Sequence, residues 1–354
     1  MVVDLATVQF ASDMTACVLG MIFNSLLIYA IVKVTDSNLR SYSYLLLASA
    51  CFDLFFSVIE FCTLHQLLSC GSVLVIMSHG FVERFLFPYV GSLLMIPHVF
   101  AANHGLMILA AQFHYRYRLV ADGEASVWIL VRDLAITTSL GWLMACSAWW
   151  GTVISLQRPR EYYLEMINQQ SFYKRAAEYA LYVSDQQDTI TMIYFKSSFW
   201  FTYICFGVSV YYGLRSYLHV RANGSMGNQR TERLQAQFTR SLVVQTVNTC
   251  IFALIPLSFS SIPMQITSSQ NQWPGKGAFE CANKCLRAGF ITMTLLSWLA
   301  TANACCTLFI VRKYRTYFLS LFGLAHLSVS QTSATPDHTG ISKTTEVITL
   351  QAAP

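Results

Sequence analysis

The chain has 354 residues, enough for two or three soluble domains, but 12 % are charged and 55 % are hydrophobic. Soluble globular proteins carry about 25 % charged residues, so this chain has too few charges to cover a water-facing surface. The composition therefore predicts a membrane protein that contacts lipid. The net charge of +5 is small and scattered along the chain, which argues against nucleic acid as a partner.

Seven apolar stretches are long enough to cross a bilayer, for which about 20 helical residues are needed. The second contains Asp53 and Glu60, but its leucine and phenylalanine residues outweigh the cost of inserting two acids. Backbone groups in lipid must be bonded within each segment, so we expect an all-α membrane protein, a seven-helix bundle. The predicted spans are 14–32, 42–64, 90–113, 134–156, 197–214, 241–263 and 288–311.

The segments outside the spans differ in character. Residues 314–322 repeat aromatic and leucine side chains at helical spacing beside basic residues, which is typical of a helix on the membrane surface. Residues 324–354 are rich in Ser and Thr and lack apolar periodicity, so we expect a disordered cytoplasmic tail. The segment 158–196 is predicted to be a solvated outer loop with helical pieces.

The distribution of basic residues favours one orientation in the membrane. With the amino terminus outside the cell and the carboxyl terminus in the cytoplasm, 14 of the 23 Lys and Arg residues fall on the inner side. Cytoplasmic loops carry an excess of these residues. The glycosylation sequon at Asn223 then lies in an inner loop and is predicted to stay unmodified. Cys70, Cys281 and Cys285 lie on the oxidising side, and the pairing among them is left open.

Four polar residues inside the spans are candidates for function. Asp53 and Glu60 are seven residues apart and share one face of the second helix. Acids inside a membrane are functional by default, so we expect Asp53 to act as a switch and Glu60 to contact a ligand. The alternative is that both only fix the packing. His98 and His104 are further candidate ligand contacts, although hydrogen-bonded core histidines are the simpler interpretation.

Nothing in the pattern of residues predicts a metal site, a cofactor or an enzyme. His98 and His104 are six residues apart, about 120° around the third helix, so they cannot bind one metal ion together. The cysteines have no zinc-site spacing. Phosphate-binding loops, nucleophile elbows and the HExxH motif are missing from the sequence.

Several stretches in order along the chain resemble the nematode chemoreceptor superfamily of seven-helix G-protein-coupled receptors, close to its Str, Srj and Srd families. They are spread over nearly the whole chain, and it is their order that makes the resemblance specific. The stretches are NLRSYSYLL at 38–46, VIEF at 58–61, YRY at 115–117, RTERLQ at 230–235, LVVQT at 242–246 and VRKYR at 311–315.

The resemblance implies a rhodopsin-like topology and a chemosensory receptor in the plasma membrane of a sensory cilium. Such a receptor binds a small molecule, for example a volatile odorant, in the outer half of the bundle and activates a heterotrimeric G protein. By this resemblance, Arg116 and Tyr117 take the place of the activation arginine motif. Arg233 and Arg240 fall in the segment that would contact the G protein.

One departure from the receptor pattern concerns the seventh helix. The Asp-Pro or Asn-Pro pair that is usual there is replaced by Asn303-Ala304, so Asn303 is expected to keep the polar role without a proline kink. Two other classes stay open. A ligand-gated channel of the insect odorant-receptor type has its amino terminus inside, and a secondary transporter would use Asp53 and Glu60 for ion coupling.

Overall fold

The computed structural model describes residues 5–35, 40–70, 73–78, 80, 91–122, 125–155, 159, 161, 164, 180–185, 188–223, 229–258 and 277–323. Within these ranges the chain forms seven long helices, one short helix and three strands. The helices are α1 (Leu5–Val34), α2 (Arg40–Thr63), α3 (Gly91–Ala121), α4 (Val127–Ser155), α5 (Thr189–Asn223), α6 (Gln229–Thr249), α7 (Gly277–Ile310) and α8 (Arg312–Leu321). The strands are β1 (His65–Cys70), β2 (Val73–Ser78) and β3 (Ala180–Asp185).

Each predicted span overlaps one of the long helices. Five of the helices are apolar enough over a sufficient length to cross a membrane, at 7–34, 41–63, 127–154, 236–258 and 291–310. The other two, α3 and α5, have the length, with 31 and 35 residues, but carry more polar side chains. Polar side chains of α3 and α5, such as Gln112 and Ser209, are buried where these helices pack against their neighbours.

The bundle is apolar outside and partly polar inside, the reverse of a soluble protein. Large apolar side chains on α4 and α5 are exposed, with Trp128 at 77 %, Leu143 at 64 % and Trp200 at 63 %. Asn24 and Gln112, by contrast, are fully buried. Lipid is as apolar as leucine, so packing and hydrogen bonds between helices, not hydrophobic burial, hold such a bundle together.

The three strands form an antiparallel sheet in the order β1-β2-β3 at one end of the bundle, called here the sheet end. His65 pairs with Ser78 and Cys70 with Val73, while Ser78 also pairs with Ala180. All six residues of β2 are buried because this strand is covered on both faces. The sheet differs from the solvated loop expected over 158–196, since 180–185 form β3 and α5 begins at Thr189, before the predicted start of the fifth span.

The apolar core has one cluster near each end of the bundle. The cluster at the sheet end joins the sheet to α2, α3 and α7 through residues such as Leu67, Phe56 and Phe100. The cluster at the opposite end joins α1, α2, α3 and α6 to α8 through residues such as Leu45 and Tyr115.

The short helix α8 follows a break in α7. Val311 has extended backbone angles, φ −81° and ψ 106°, which stop α7 and let α8 start at Arg312, slightly before the predicted 314–322. The Tyr314 hydroxyl lies 3.1 Å from Thr35 Oγ1, and the Phe318 ring packs against Phe23. These contacts fix α8 against α1. The predicted tail, 324–354, lies outside the described residues.

Candidate functional site

A small cavity lies in the centre of the bundle between α2, α3, α6 and α7. Its volume of about 20 Å³ is enough for one water molecule. The wall combines aromatic rings, small residues that let the helices approach, and five polar side chains. The lining residues are Ser49, Phe52, Asp53, Phe56, Ala101, Ala102, Gly105, Leu106, Ile108, Leu109, Gln245, Thr249, Ala253, Leu296, Leu299 and Asn303.

Asn303 connects three helices across this cavity. Its Nδ2 donates to Asp53 Oδ2 of α2 at 3.4 Å, and its Oδ1 accepts from Asn248 Nδ2 of α6 at 3.2 Å. All three side chains are buried. The α7 asparagine predicted to keep a polar role without a proline therefore lies between Asp53 and α6.

A second polar contact lies one turn further along α7. Thr307 Oγ1 accepts a hydrogen bond from Gln245 Nε2 at 3.0 Å and lies 3.1 Å from the Ser241 hydroxyl. Buried polar side chains between helices are satisfied by one another in this way. The interface between α6 and α7 is therefore polar from the cavity toward the end that lies away from the sheet.

The sixth helix changes its winding beside the cavity. Residues Cys250–Leu254 form a π-helical turn, and Ala253 of this turn lines the cavity wall. The wider turn precedes Pro256, whose ring lacks an N–H and would clash with the carbonyl of Phe252 in a regular α-helix. Turns of this kind are frequent at functional sites.

At the opposite end of the bundle Arg116 joins α3 to α6. Its guanidinium is buried, with the residue 5 % exposed, and donates from Nη2 to the Thr239 hydroxyl. The rings of Tyr42 and Phe238 stack beside this contact with centroids 5.5 Å apart. An arginine removed from solvent needs such a partner, because an unpaired buried charge is strongly destabilising.

The other residues of the predicted inner face are placed differently. The Tyr117 ring contacts Tyr212 of α5 with centroids 5.6 Å apart, and the Arg215 guanidinium lies 6.0 Å from its centroid. Arg240 is exposed. The side chain of Arg233 lies outside the described residues, as do those of Cys70, Cys281 and Cys285.

Near the sheet end, Glu60 and His98 form a buried pair, with Glu60 Oε2 2.9 Å from His98 Nδ1. His65, the first residue of β1, completes the group: its backbone N–H donates to Glu60 Oε1 at 3.3 Å and its ring centroid lies 3.9 Å from that of His98. Sequence reasoning missed His65. The available signal was its position directly after the second span.

His104 lies apart from this group. Its ring packs against Phe52 and stacks on Phe100, with centroid distances of 4.9 and 5.0 Å. None of the three predicted ligand contacts, Glu60, His98 and His104, lines the central cavity. His104 is nevertheless one side chain away from it, since Phe52 is part of the cavity wall.

A second pair that the sequence did not indicate joins α3 to α4. His114 Nδ1 lies 2.5 Å from Asp133 Oδ2, and Arg132 donates to Asp133 Oδ1 at 2.8 Å. This pair lies close to Arg116 in sequence. It fixes the end of α3 that carries the candidate switch.

Comparison with known proteins supplies the family. The family model described as the serpentine type seven-transmembrane G-protein-coupled chemoreceptor Str matches residues 9–319. Serpentine receptor class delta-1 of Caenorhabditis elegans is 36 % identical over 111 residues, which are 30 % of this chain and 29 % of that protein. Serpentine receptor class delta-2 of the same organism is 30 % identical over 117 residues, covering 33 % and 32 %. The matches thus span about a third of these relatives.

The crystal structure of squid rhodopsin is similar in fold. It superposes with a TM-score of 0.56 at 13 % identity, covering 91 % of this chain and 87 % of rhodopsin. This likeness confirms the predicted rhodopsin-like seven-helix bundle, and the family match confirms the resemblance read from the sequence. The chain belongs to the Str family of serpentine seven-transmembrane chemoreceptors, which are integral membrane proteins.

Proposed function

We propose that this chain is a chemosensory receptor that binds a small molecule, such as a volatile odorant, and activates a heterotrimeric G protein. The sheet end would face the outside of the cell, and the end that carries Arg116 would face the cytoplasm. Membership of a chemoreceptor family supports the receptor role. The basic residues concentrated on the Arg116 side support the orientation. The plasma membrane of a sensory cilium is the proposed location.

The observation that carries the proposal is the buried contact between Arg116 and Thr239. It joins α3 to α6 where a G protein would insert, as expected of a closed form of the receptor. Releasing the contact would free a guanidinium for the G protein and let α6 move. A hydrogen bond to a charged group is worth about 1.5–3 kcal/mol. That is comparable to the free energy by which a ligand shifts a two-state receptor.

The central cavity provides a route from ligand to switch. A small molecule that enters from the sheet end, past Glu60, His98 and His104, must enlarge a space with room for about one water molecule. Enlarging it displaces α6 near its π-helical turn and stretches the contacts of Asn303 with Asp53 and Asn248. A ligand that fits only the enlarged form shifts the population toward an open opposite end.

The test is the ligand-free nucleotide exchange rate of a co-expressed G protein with the Thr239→Ala receptor. The substitution removes the hydroxyl that accepts a hydrogen bond from Arg116 but leaves the charged arginine in place. We therefore expect the basal nucleotide exchange rate to rise by about fivefold or more. Thr246→Ala is the matched control, because the Thr246 hydroxyl bonds only to the Leu242 carbonyl of its own helix among the contacts described. Its basal rate should equal that of the wild type.

Equal basal rates for Thr239→Ala and Thr246→Ala would contradict the hypothesis that the Arg116–Thr239 contact keeps the receptor closed.

A screen of volatile small molecules in cells with a G-protein readout tests the ligand class. The alternatives predict other outcomes: a channel would pass current without a G protein, and a transporter would accumulate substrate in vesicles in a manner abolished by Asp53→Asn.

A further inference from the structure

Three side chains with metal-binding atoms converge at the sheet end from three different elements. Glu60 lies near the end of α2, His65 begins β1, and His98 lies in the second turn of α3. One donor atom from each falls within 4.8 Å of the others. The group therefore brings two imidazoles and one carboxylate together.

All three side chains are removed from solvent, with Glu60 1 %, His65 0 % and His98 4 % exposed. A carboxylate held in an apolar environment is costly unless a cation or a strong hydrogen-bond donor faces it. The surroundings therefore favour a positive charge.

The backbone is shaped to bring His65 to this point. Leu64, between α2 and β1, has φ 41°, a left-handed conformation that is a true outlier for a bulky residue. Its N–H bonds to the Glu60 carbonyl at 2.7 Å, so the chain turns back over the end of α2. Such strain persists only where the surrounding structure over-determines it. The turn fixes the His65 imidazole next to the Glu60 carboxylate.

We propose that Glu60, His65 and His98 form a binding site for a divalent transition-metal ion, with Zn²⁺ as the best-fitting ion. Two histidines and one glutamate are a known set of three protein ligands for zinc, with a fourth position left to water or a small ligand. Metal–ligand bonds of about 2.0–2.1 Å place ligand atoms about 3.3 Å apart in a tetrahedral site. The 2.9 Å between Glu60 Oε2 and His98 Nδ1 needs only a small opening.

The donor set decides against the hard cations. Ca²⁺ and Mg²⁺ take oxygen ligands, whereas imidazole nitrogen suits Zn²⁺, Cu²⁺ and Ni²⁺. An ion here would connect α2, β1 and α3 and so fix the sheet to the bundle. The helical spacing that prevents His98 and His104 from sharing an ion does not apply here, since His98 is joined by Glu60 and His65. The inference does not depend on the proposed signalling function.

The test is Co²⁺ binding to the full chain, purified in detergent and stripped with a chelator. Tetrahedral Co²⁺ absorbs in the visible range, and we expect one equivalent to bind, to show these bands and to be displaced by Zn²⁺. Zn²⁺ should also raise the thermal unfolding temperature. His65→Ala and His98→Ala should each weaken Co²⁺ binding more than about tenfold. In metal sites generally, removing a residue that only supports a ligand already costs about tenfold or more in affinity, and these two variants remove a ligand itself.

His114→Ala is the matched control, because His114 also pairs with a carboxylate but lies at the opposite end of the bundle. It should bind Co²⁺ like the wild type. The proposal is overturned if the wild type shows no tetrahedral bands, or if the bands persist in both His65→Ala and His98→Ala. If those variants do not fold, X-ray absorption of the zinc-loaded wild type decides: two imidazole ligands support the site, and fewer overturn it.

Discussion

Arg116 carries a charge into a nearly solvent-free position, with 5 % of the residue exposed, where, among the described residues, the Thr239 hydroxyl of α6 accepts its hydrogen bond. A permanently charged side chain in such a place has a partner in each state of the protein or it destabilises that state. In the closed form the partner is Thr239. In the open form the proposed partner is the G protein, so the same side chain serves both states.

Substituting Arg116→Ala should abolish G-protein activation while ligand binding and surface expression stay largely intact. Unlike Thr239→Ala, this change removes both the closed contact and the group offered to the G protein, so we expect ligand-stimulated nucleotide exchange to fall by about tenfold or more. Arg118→Ala is the control, because Arg118 is half-exposed and pairs with Asp122 one turn away. Stimulated exchange that is unchanged in Arg116→Ala would refute the switch role.

The sequence identified some site residues and missed others for a physical reason. Asp53, Glu60 and Asn303 are polar groups inside apolar runs. Such groups are rare and costly in a membrane span, so they can be recognised from the sequence. His65 begins β1, and Thr239 lies just before the predicted start of the sixth span at 241, so a polar residue is ordinary at both positions. Their importance comes from partners more than 30 positions away along the chain, Arg116 and His98, which no local pattern indicates.

At the scale of elements, the sheet and the seventh helix approach unusually closely. Gly289 of α7 lies against β1 so tightly that an added Cβ would be 2.4 Å from the carbonyl oxygen of Leu67. A backbone carbonyl held in a sheet cannot move aside as a flexible side chain does. The glycine is therefore needed for the packing of β1 on α7.

Gly289→Ala should lower the thermal stability of the purified receptor, because overpacking costs about 1–3 kcal/mol. Gly207→Ala is the matched control: Gly207 is also helical, but nothing lies within 4 Å of the position of its added Cβ. That variant should be as stable as the wild type or slightly more so, since alanine favours a helix over glycine by up to about 1 kcal/mol. Equal unfolding temperatures for the two variants would show that the sheet does not pack against α7 in this way.

The helices could be predicted from the sequence, whereas the sheet was not predicted. Each span must satisfy its own backbone in lipid, so apolar length alone reveals it. The hairpin had a signal in Gly71-Ser72, a turn-forming pair directly before the apolar run VLVIM at 73–77, which is typical of a two-residue turn. No comparable signal for β3 is present in the sequence, because its pairing partner β2 lies about a hundred positions earlier.

At the scale of the whole molecule, the proposed topology places the sheet outside the cell and the end with Arg116 inside. The outer loops then build the sheet over the bundle, and the basic residues at the adjoining ends of α5 and α6 and in α8 lie in the cytoplasm. Both the ligand route and the G-protein contact depend on this orientation.

Glycosylation tests the orientation directly. The sequon at Asn223 should stay unmodified in cells, because it faces the cytoplasm in this topology. As a control, Gln169→Asn creates a sequon with Ser171 in the outer segment, and this variant should gain a glycan and migrate more slowly in electrophoresis. An amino-terminal epitope should be labelled on intact cells. A glycan at Asn223 in the wild type would reverse the topology and remove the basis of the receptor proposal.

The amino-acid sequence was enough to predict that this protein crosses a membrane with seven helices, and the order of its motifs was enough to predict its family. Both follow from constraints that act locally, the satisfaction of each backbone in lipid and short stretches of matching residues. The folded chain alone shows which polar groups meet: Asn303 with Asp53 and Asn248, Arg116 with Thr239, and the glutamate and two histidines at the sheet end. These contacts join positions that are far apart along the chain, so they exist only once the helices and the sheet have packed.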